Sequence, residues 1–169
     1  LSGPVLVAPN HLSYFDPPLV AVATRRALSF MAKEELFRGI LGLLIRSLEA
    51  FPVRRGEGDT EAIKEVVRRL GEGKAVLLFP EGTRGFGEEL SPISAGIGMF
   101  AKRTGALVVP VGIIGTEKAW GKGQKIRRAP LTVVIGEPFR YADVANSENE
   151  RENRAVFARV LGQRLAEAC

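Results

Sequence analysis

The sequence predicts an α/β domain in which a mostly parallel, mixed central sheet is flanked by helices on both faces. Two observations predict it. Short runs that are apolar at nearly every position recur along the chain, as strands buried on both faces do. Segments with apolar residues at helical spacing separate these runs, and strand–helix alternation implies crossover units that return each strand parallel to the last.

Residues 4–9 (PVLVAP) read as the first strand. Asp16 followed by Pro17 and Pro18 reads as an N-cap with proline in the first turn, opening a helix through about residue 24. Residues 28–32 suit a second strand, and residues 36–48 carry Leu and Ile at helical spacing with a broad apolar face. An amphipathic helix is expected over residues 60–70, with Ile63, Val66, Val67 and Leu70 inward and Gly71 and Gly73 stopping it. Residues 75–79 (AVLLF) read as a buried strand closed by Pro80 and Gly82. A helix over 95–103, strands over 106–114 (ALVVPVGII) and 131–135 (LTVVI), and a final helix over 148–168 complete the order. No repeat, low-complexity tract or linker interrupts it, so residues 1–169 are assigned to one domain.

A composition of 46% hydrophobic and 25% charged residues excludes the disordered and fibrous classes. No apolar run approaches the roughly 18 residues a spanning helix needs, and no secretory signal opens the chain. The single cysteine, Cys169, excludes an internal disulfide framework and fits a reducing compartment. With one histidine beside it, a protein-built zinc site is not expected, nor any tightly bound metal or cofactor. The net charge of +5 favours an anionic partner: a phosphorylated metabolite, coenzyme A, an acidic carrier protein, an anionic bilayer or nucleic acid. Residues 25–55 hold seven basic side chains against three acidic, and residues 118–128 hold five against none, so both stretches suit phosphates. The absence of helix-turn-helix, zinc or RNP patterns argues against nucleic acid.

In an open α/β sheet, ligands bind beyond the carboxyl ends of the strands. His11 follows the first strand, Glu81 to Arg84 follow the 75–79 strand, and residues 112–116 close the 106–114 strand, so neighbouring strands bring all three to one cleft. In NHLSYFD (residues 10–16) four residues separate His11 from Asp16, enough for the chain to turn and bring carboxylate to imidazole. A carboxylate on one ring nitrogen fixes the tautomer and leaves the other nitrogen to take a proton. An isolated pair of this kind equally suits a turn in which Asp16 caps a helix. The segment FPEGTRG (residues 79–85) adds a carboxylate, a hydroxyl and a guanidinium at a strand end. Arg84 is able to grip a phosphate, and Glu81 to accept from a hydroxyl or hold the arginine.

Together NHLSYFD and FPEGTRG resemble the signature blocks of the PlsC-type glycerolipid acyltransferase family, typified by 1-acylglycerol-3-phosphate acyltransferase. Two weaker blocks occur in order: AFPVRRG (50–56), whose Arg54 best matches a phosphate-binding arginine, and VVPVGIIG (108–115). The resemblance spans residues 4–139. It implies direct acyl transfer from acyl-CoA or acyl-carrier protein to a lysophospholipid hydroxyl, with His11 as base and Asp16 orienting it. Lys33, Arg54 and Arg84 would hold the acceptor phosphate, and Glu81, Gly82 and Thr83 would shape the glycerol site. It also implies a peripheral enzyme on an anionic membrane, at its cytoplasmic side. The chain departs from the family at Ser94, where many relatives have lysine, and it is expected to lack the N-terminal membrane-docking helices, which leaves acceptor identity and membrane attachment open.

Other features are read more plainly. Ser13 is a turn residue, since no G-x-S-x-G elbow accompanies it. GEGK (71–74) lacks the P-loop spacing and is a helix stop. Cys169 is a bystander at a frayed terminus. Residues 36–48 suit plain core, a bilayer surface or an acyl tunnel. Residues 118–128, with Trp120, suit a mobile basic loop for headgroups or coenzyme A phosphates, or a solvated loop. The competing functions are a lipid or thioester hydrolase using the same His11 and Asp16, and a non-enzymatic basic membrane-binding module.

Overall fold

A computed structural model describes residues 2–53, 60–82, 91–121 and 123–169, apart from the side chains of residues 41 and 44. Among these residues the strands are β1 (Val5–Pro9), β2 (Leu28–Lys33), β3 (Ala50–Val53), β4 (Ala75–Leu77), β5 (Leu107–Ile114), β6 (Thr132–Ile135) and β7 (Phe139–Arg140). They form one sheet in the order β3-β2-β4-β1-β5-β6, with β7 also on β5. The first five strands are parallel, and β6 and β7 run antiparallel at the edge. The helices are α1 (Asp16–Ala23), α2 (Gly39–Ser47), α3 (Thr60–Gly71), α4 (Gly96–Thr104), α5 (Thr116–Trp120) and α6 (Glu150–Ala168). The expected mixed, mostly parallel α/β architecture is the one observed.

Strand residues alternate between two cores, which explains why the strands read as uninterrupted apolar runs. Leu6, Ala8, Val76, Leu78 and Val108 join Val66 and Leu70 of α3, Ile97 and Ala101 of α4, and Phe157, Leu161 and Leu165 of α6. Val5, Val7, Leu28, Phe30, Ala75, Leu77, Val109, Val111 and Ile113 join Val20 of α1, with Phe37 and Ile45 beside them. Burying each large side chain contributes about 1.5–3 kcal/mol. Arg69 pins α3 to the β2–β3 end of the sheet. Its guanidinium donates to Ser29 Oγ at 2.8 Å and to Glu65 at 2.7 Å, and lies 4.7 Å from the Phe51 ring.

Several details differ from the sequence reading. Residues 36–48 are not one helix. A 3-10 turn over Glu34–Phe37 precedes α2, which leaves Ile40 87% exposed and Leu43 70% exposed. The segment AFPV is a strand, because β3 pairs in parallel with β2 from Phe30↔Ala50 to Lys33↔Val53. Arg26 lies at the amino edge, donating to the Gly3 and Gly73 carbonyls, whereas Lys33 ends β2 at the carboxyl edge. Residues 118–128 are not one mobile loop: Thr116–Trp120 is helix α5, and residues 123–128 are exposed beyond it.

The antiparallel edge carries a bulge. Val108 faces Phe139 and Val111 faces Ile135, so three residues of the edge segment oppose two of β5. Pro138 sits in this interruption, where a missing N–H costs no ladder bond.

Gly115 links β5 to α5 with φ of +90°, and a Cβ there would lie 2.1 Å from the Pro130 carbonyl oxygen. Gly105 has φ of +61° but open space around it. Gly105→Ala should therefore cost only the left-handed backbone penalty, about 1–2 kcal/mol. Gly115→Ala should cost that plus an overpacking penalty of about 1–3 kcal/mol. Denaturant unfolding of the two variants side by side checks the order; equal losses would mean that Pro130 yields without resistance.

Candidate active site

The loop after β1 is folded around one carboxylate. Asp16 is fully buried, and its Oδ2 accepts from the Leu12 N–H at 2.7 Å, the Ser13 N–H at 2.7 Å and His11 Nδ1 at 2.8 Å. Asp16 therefore heads α1 without capping it in the expected sense. Phe15 is the cap residue, and the Asp16 side chain reaches backward to the loop instead of forward to the helix N–H groups. The two prolines that follow make this workable, since they bring no N–H for a cap to satisfy.

Because Oδ2 is an acceptor, the 2.8 Å contact places a proton on His11 Nδ1, so in the neutral imidazole the lone pair is on Nε2. The imidazole lies against Phe79 at the end of β4, ring centroids 3.7 Å apart and planes 17° apart, with 17% of its side-chain surface exposed. It is thus held at one nitrogen, fixed on one face and open to solvent.

Two side chains tie this loop to the neighbouring strands. Asn10 is 3% exposed, and its amide group donates to the Ile113 carbonyl at 2.9 Å and accepts from the Ile113 N–H at 2.7 Å. The side chain so extends the β1–β5 ladder one step past the backbone pairing. On the other side, Glu81 Oε1 accepts from the His11 backbone N–H at 2.8 Å, and Oε2 accepts from the Ser91 N–H at 3.0 Å. Ser13, buried, donates its hydroxyl to the Trp120 carbonyl at 2.7 Å, and Trp120 packs on Tyr14 and Phe15 with centroids 4.9 and 5.0 Å away.

The structure thus brings His11, Asp16, Glu81 and the exposed Gly82 to one edge, between β4, β1 and β5. Lys33 is exposed at the carboxyl end of β2, two strands from β1 and so about 10 Å away by strand spacing. Arg54, Thr83 and Arg84 lie outside the described residues. Ser94 stands at the foot of α4, its N–H donating to the Pro80 carbonyl at 2.9 Å and its hydroxyl accepting from the Gly96 N–H at 3.2 Å.

Glu81 differs from expectation. Both of its oxygens hold backbone N–H groups, which makes it a clamp between two loops. Asn10 and Phe79 stand inside the two motifs, but neither carries a titratable group that would mark it in the sequence. Cys169 is not frayed: its N–H donates to the Leu165 carbonyl at 3.1 Å. Burial pushes its thiol above the ordinary value, a hydrogen bond with the Ile113 backbone opposes this, and the Glu81 charge adds to the rise. Among the described residues, no group of three or more His, Cys, Asp or Glu side chains is placed to hold a metal ion.

A family model described as Acyltransferase matches residues 1–114. The chain is 33% identical over 141 residues to the 1-acyl-sn-glycerol-3-phosphate acyltransferase of Bacillus subtilis, covering 83% of this chain and 68% of that one. It is 31% identical over 149 residues to the protein of the same name from Streptococcus pneumoniae, covering 86% of this chain and 53% of that one. The crystal structure of the 1-acyl-sn-glycerophosphate acyltransferase PlsC from Thermotoga maritima superposes with a TM-score of 0.76 at 26% identity, covering 98% of this chain and 66% of that one.

The clamp geometry yields a prediction independent of any activity. Glu81→Ala should raise amide hydrogen exchange at His11 and Ser91 together, because each loses its acceptor. Glu81→Gln, which keeps one carbonyl acceptor, should release one amide and not both. Unchanged exchange at both amides in Glu81→Ala would show that the loops are held by something else.

Proposed function

The chain belongs to the acyltransferase family whose model it matches, and from that premise we propose that it moves a fatty acyl group from acyl-CoA or acyl-carrier protein to the free hydroxyl of a lysophospholipid, first lysophosphatidic acid, giving phosphatidic acid. The observation that carries this reading is the 2.8 Å contact between His11 Nδ1 and the buried Asp16, which leaves Nε2 to act as a base at the open edge of the sheet. The names of the relatives support the acceptor.

In the proposed step, Nε2 takes the proton of the acceptor hydroxyl as its oxygen attacks the thioester carbonyl. The C–S bond then breaks, and the imidazolium returns the proton to the departing thiolate. Asp16 stabilises the imidazolium between these two events. Gly82 leaves room for the glycerol. Lys33, Arg54 and Arg84, with Thr83, hold the acceptor phosphate and backbone in this reading, because phosphate needs charge-assisted donors, Lys33 ends β2, and the others come after β3 and β4 in the sequence. Glu81 acts through the loop that carries His11. No helix among the described residues is long and apolar enough to cross a membrane. Peripheral contact with a lysolipid at an anionic membrane surface, on the cytoplasmic side, is part of this proposal.

Thiol release from acyl-CoA should require an acceptor, with lysophosphatidic acid giving the fastest rate among lysolipids tested in parallel. Thiol and free fatty acid released without any acceptor would mark a hydrolase instead. His11→Ala should lower turnover at least a hundredfold with an unchanged circular dichroism spectrum, as removal of a general base does. Asp16→Asn should fall nearly as far. Near-wild-type turnover in folded His11→Ala would remove His11 from the mechanism.

Arg54→Ala and Arg84→Ala should each raise the acceptor KM roughly 10- to 100-fold, the loss of a charge-assisted hydrogen bond of about 1.5–3 kcal/mol. The donor KM should change less. Equal weakening of donor and acceptor would place these arginines on the donor instead.

A further inference from the structure

The histidine loop is tied to the sheet at its start and braced from outside at its middle. Asn10 links it to β5, and Glu81 links the His11 N–H to the segment after β4. Ser13, two residues on, uses both of its donors. Its N–H goes to Asp16 Oδ2 at 2.7 Å, and its hydroxyl donates to the Trp120 carbonyl at 2.7 Å while accepting from the Phe15 N–H at 3.1 Å. Ser13 and Gly121 also form an isolated antiparallel bridge, and the Trp120 ring lies 4.9 Å from Tyr14 and 5.0 Å from Phe15 by centroid. One serine thus joins the carboxylate that holds His11 to a residue 107 positions away.

The brace is itself fixed. α5 follows β5, which pairs with β1, β6 and β7. Thr116 and Ala119 of α5 are buried, and the Ala119 carbonyl accepts from the Arg127 N–H at 2.8 Å. The turn into α5 fits so closely against the Pro130 carbonyl that Gly115 has no room for a Cβ. Trp120 is therefore carried by the sheet, and it carries Ser13 in turn. Two of the three donors to Asp16 Oδ2 are the backbone N–H groups of Leu12 and Ser13, so a shift of Ser13 moves the carboxylate against its third partner, His11 Nδ1. A misplacement of about 1 Å at a reacting group is enough to lower a rate on the order of a hundredfold.

We propose that Trp120 is a positioning residue for the transfer reaction. Its carbonyl holds the Ser13 hydroxyl and its ring holds Tyr14 and Phe15, so that Asp16 stays aimed at His11 Nδ1 and Nε2 is kept for the acceptor. It supports the loop from the β5 side as Glu81 does from the β4 side, and it acts through the loop. This assignment rests on the reading of His11 as the base.

Both ends of this joint are visible without competing signals, because His11 is the only histidine and Trp120 the only tryptophan. With the ring neutral, heteronuclear NMR of wild type should show one protonated and one bare imidazole nitrogen. In Trp120→Ala the two nitrogen signals should draw together as the ring samples both tautomers. Its kcat should fall roughly 10- to 100-fold, with donor and acceptor KM changed less than about threefold. Trp120→Phe, which keeps a ring against Tyr14 and Phe15, should recover most of that loss. Ser13→Ala should lose a similar factor and shift Trp120 emission to the red. Because both residues act through one joint, Ser13→Ala with Trp120→Ala should lose little more than the larger single loss.

Circular dichroism on the same preparations separates misplacement from unfolding, and if Trp120→Ala does not fold, Trp120→Leu and Ser13→Ala take its place in each comparison. Unchanged nitrogen signals in the folded variant overturn the proposal, whatever its turnover. So does a loss that falls on KM, which would put the ring at a substrate, or losses that multiply in the double variant, which would make the two contacts independent. If the nitrogen signals respond as described but wild type transfers no acyl group to any acceptor, the joint stands and the transfer reading fails.

Discussion

Asp16 has no exposed surface, and taking a carboxylate out of water costs several kcal/mol unless other donors replace the solvent. The loop before it supplies three donors to a single oxygen: two backbone N–H groups and the His11 ring. The chain between His11 and Asp16 must curl around that oxygen, which fixes the position of the imidazole and the nitrogen it presents. Asp16 Oδ1 has no hydrogen-bond partner among the described residues, so the stabilisation is concentrated on the oxygen that faces histidine. Asn10 and Glu81 hold this small construction against the neighbouring strands.

The parallel sheet is what makes holding it possible. β1 lies between β4 and β5, so the loops that follow these three strands emerge side by side from their carboxyl ends. Asn10 joins the first loop to β5 through its amide, and Glu81 joins it to the loop after β4 through its carboxylate. Each link satisfies backbone groups that leave the regular ladder, where an unpaired buried N–H or C=O costs about 1–3 kcal/mol. Among the described polar residues of the two motifs, Asn10, Ser13 and Glu81 all bond to backbone groups of other segments.

The helical cover is unequal, and this shapes the outside of the site. α3, α4 and α6 bury their apolar faces on one side of the sheet, while α1 and the short α2 serve the other. α2 keeps Ile45 partly buried and leaves Ile40 and Leu43 in water, so its broad apolar character exceeds what the core beneath it absorbs. Apolar surface left exposed beside the candidate site is a physical property of how α2 packs on the sheet.

Residue order alone determined the α/β class and the strands β1, β2, β4, β5 and β6, and it singled out His11 and Asp16, because periodicity and strand-end position are local signals. Val5 to Pro9 had to be a strand buried on both faces, and His11 and Asp16 had to share a turn. What only the tertiary structure decided were the roles that depend on a neighbour distant in the chain. Glu81 could accept from a substrate, an arginine or a backbone amide until β4 was placed beside β1, and then the His11 N–H lay 2.8 Å from its oxygen. Asn10 gained its role only when Ile113, over a hundred residues later, came alongside. The exposure of α2 was likewise illegible, because an apolar helix face reads the same whether a core or a solvent lies against it; the physical reason is that a pattern records which side chains avoid water, and only packing shows which of them succeed.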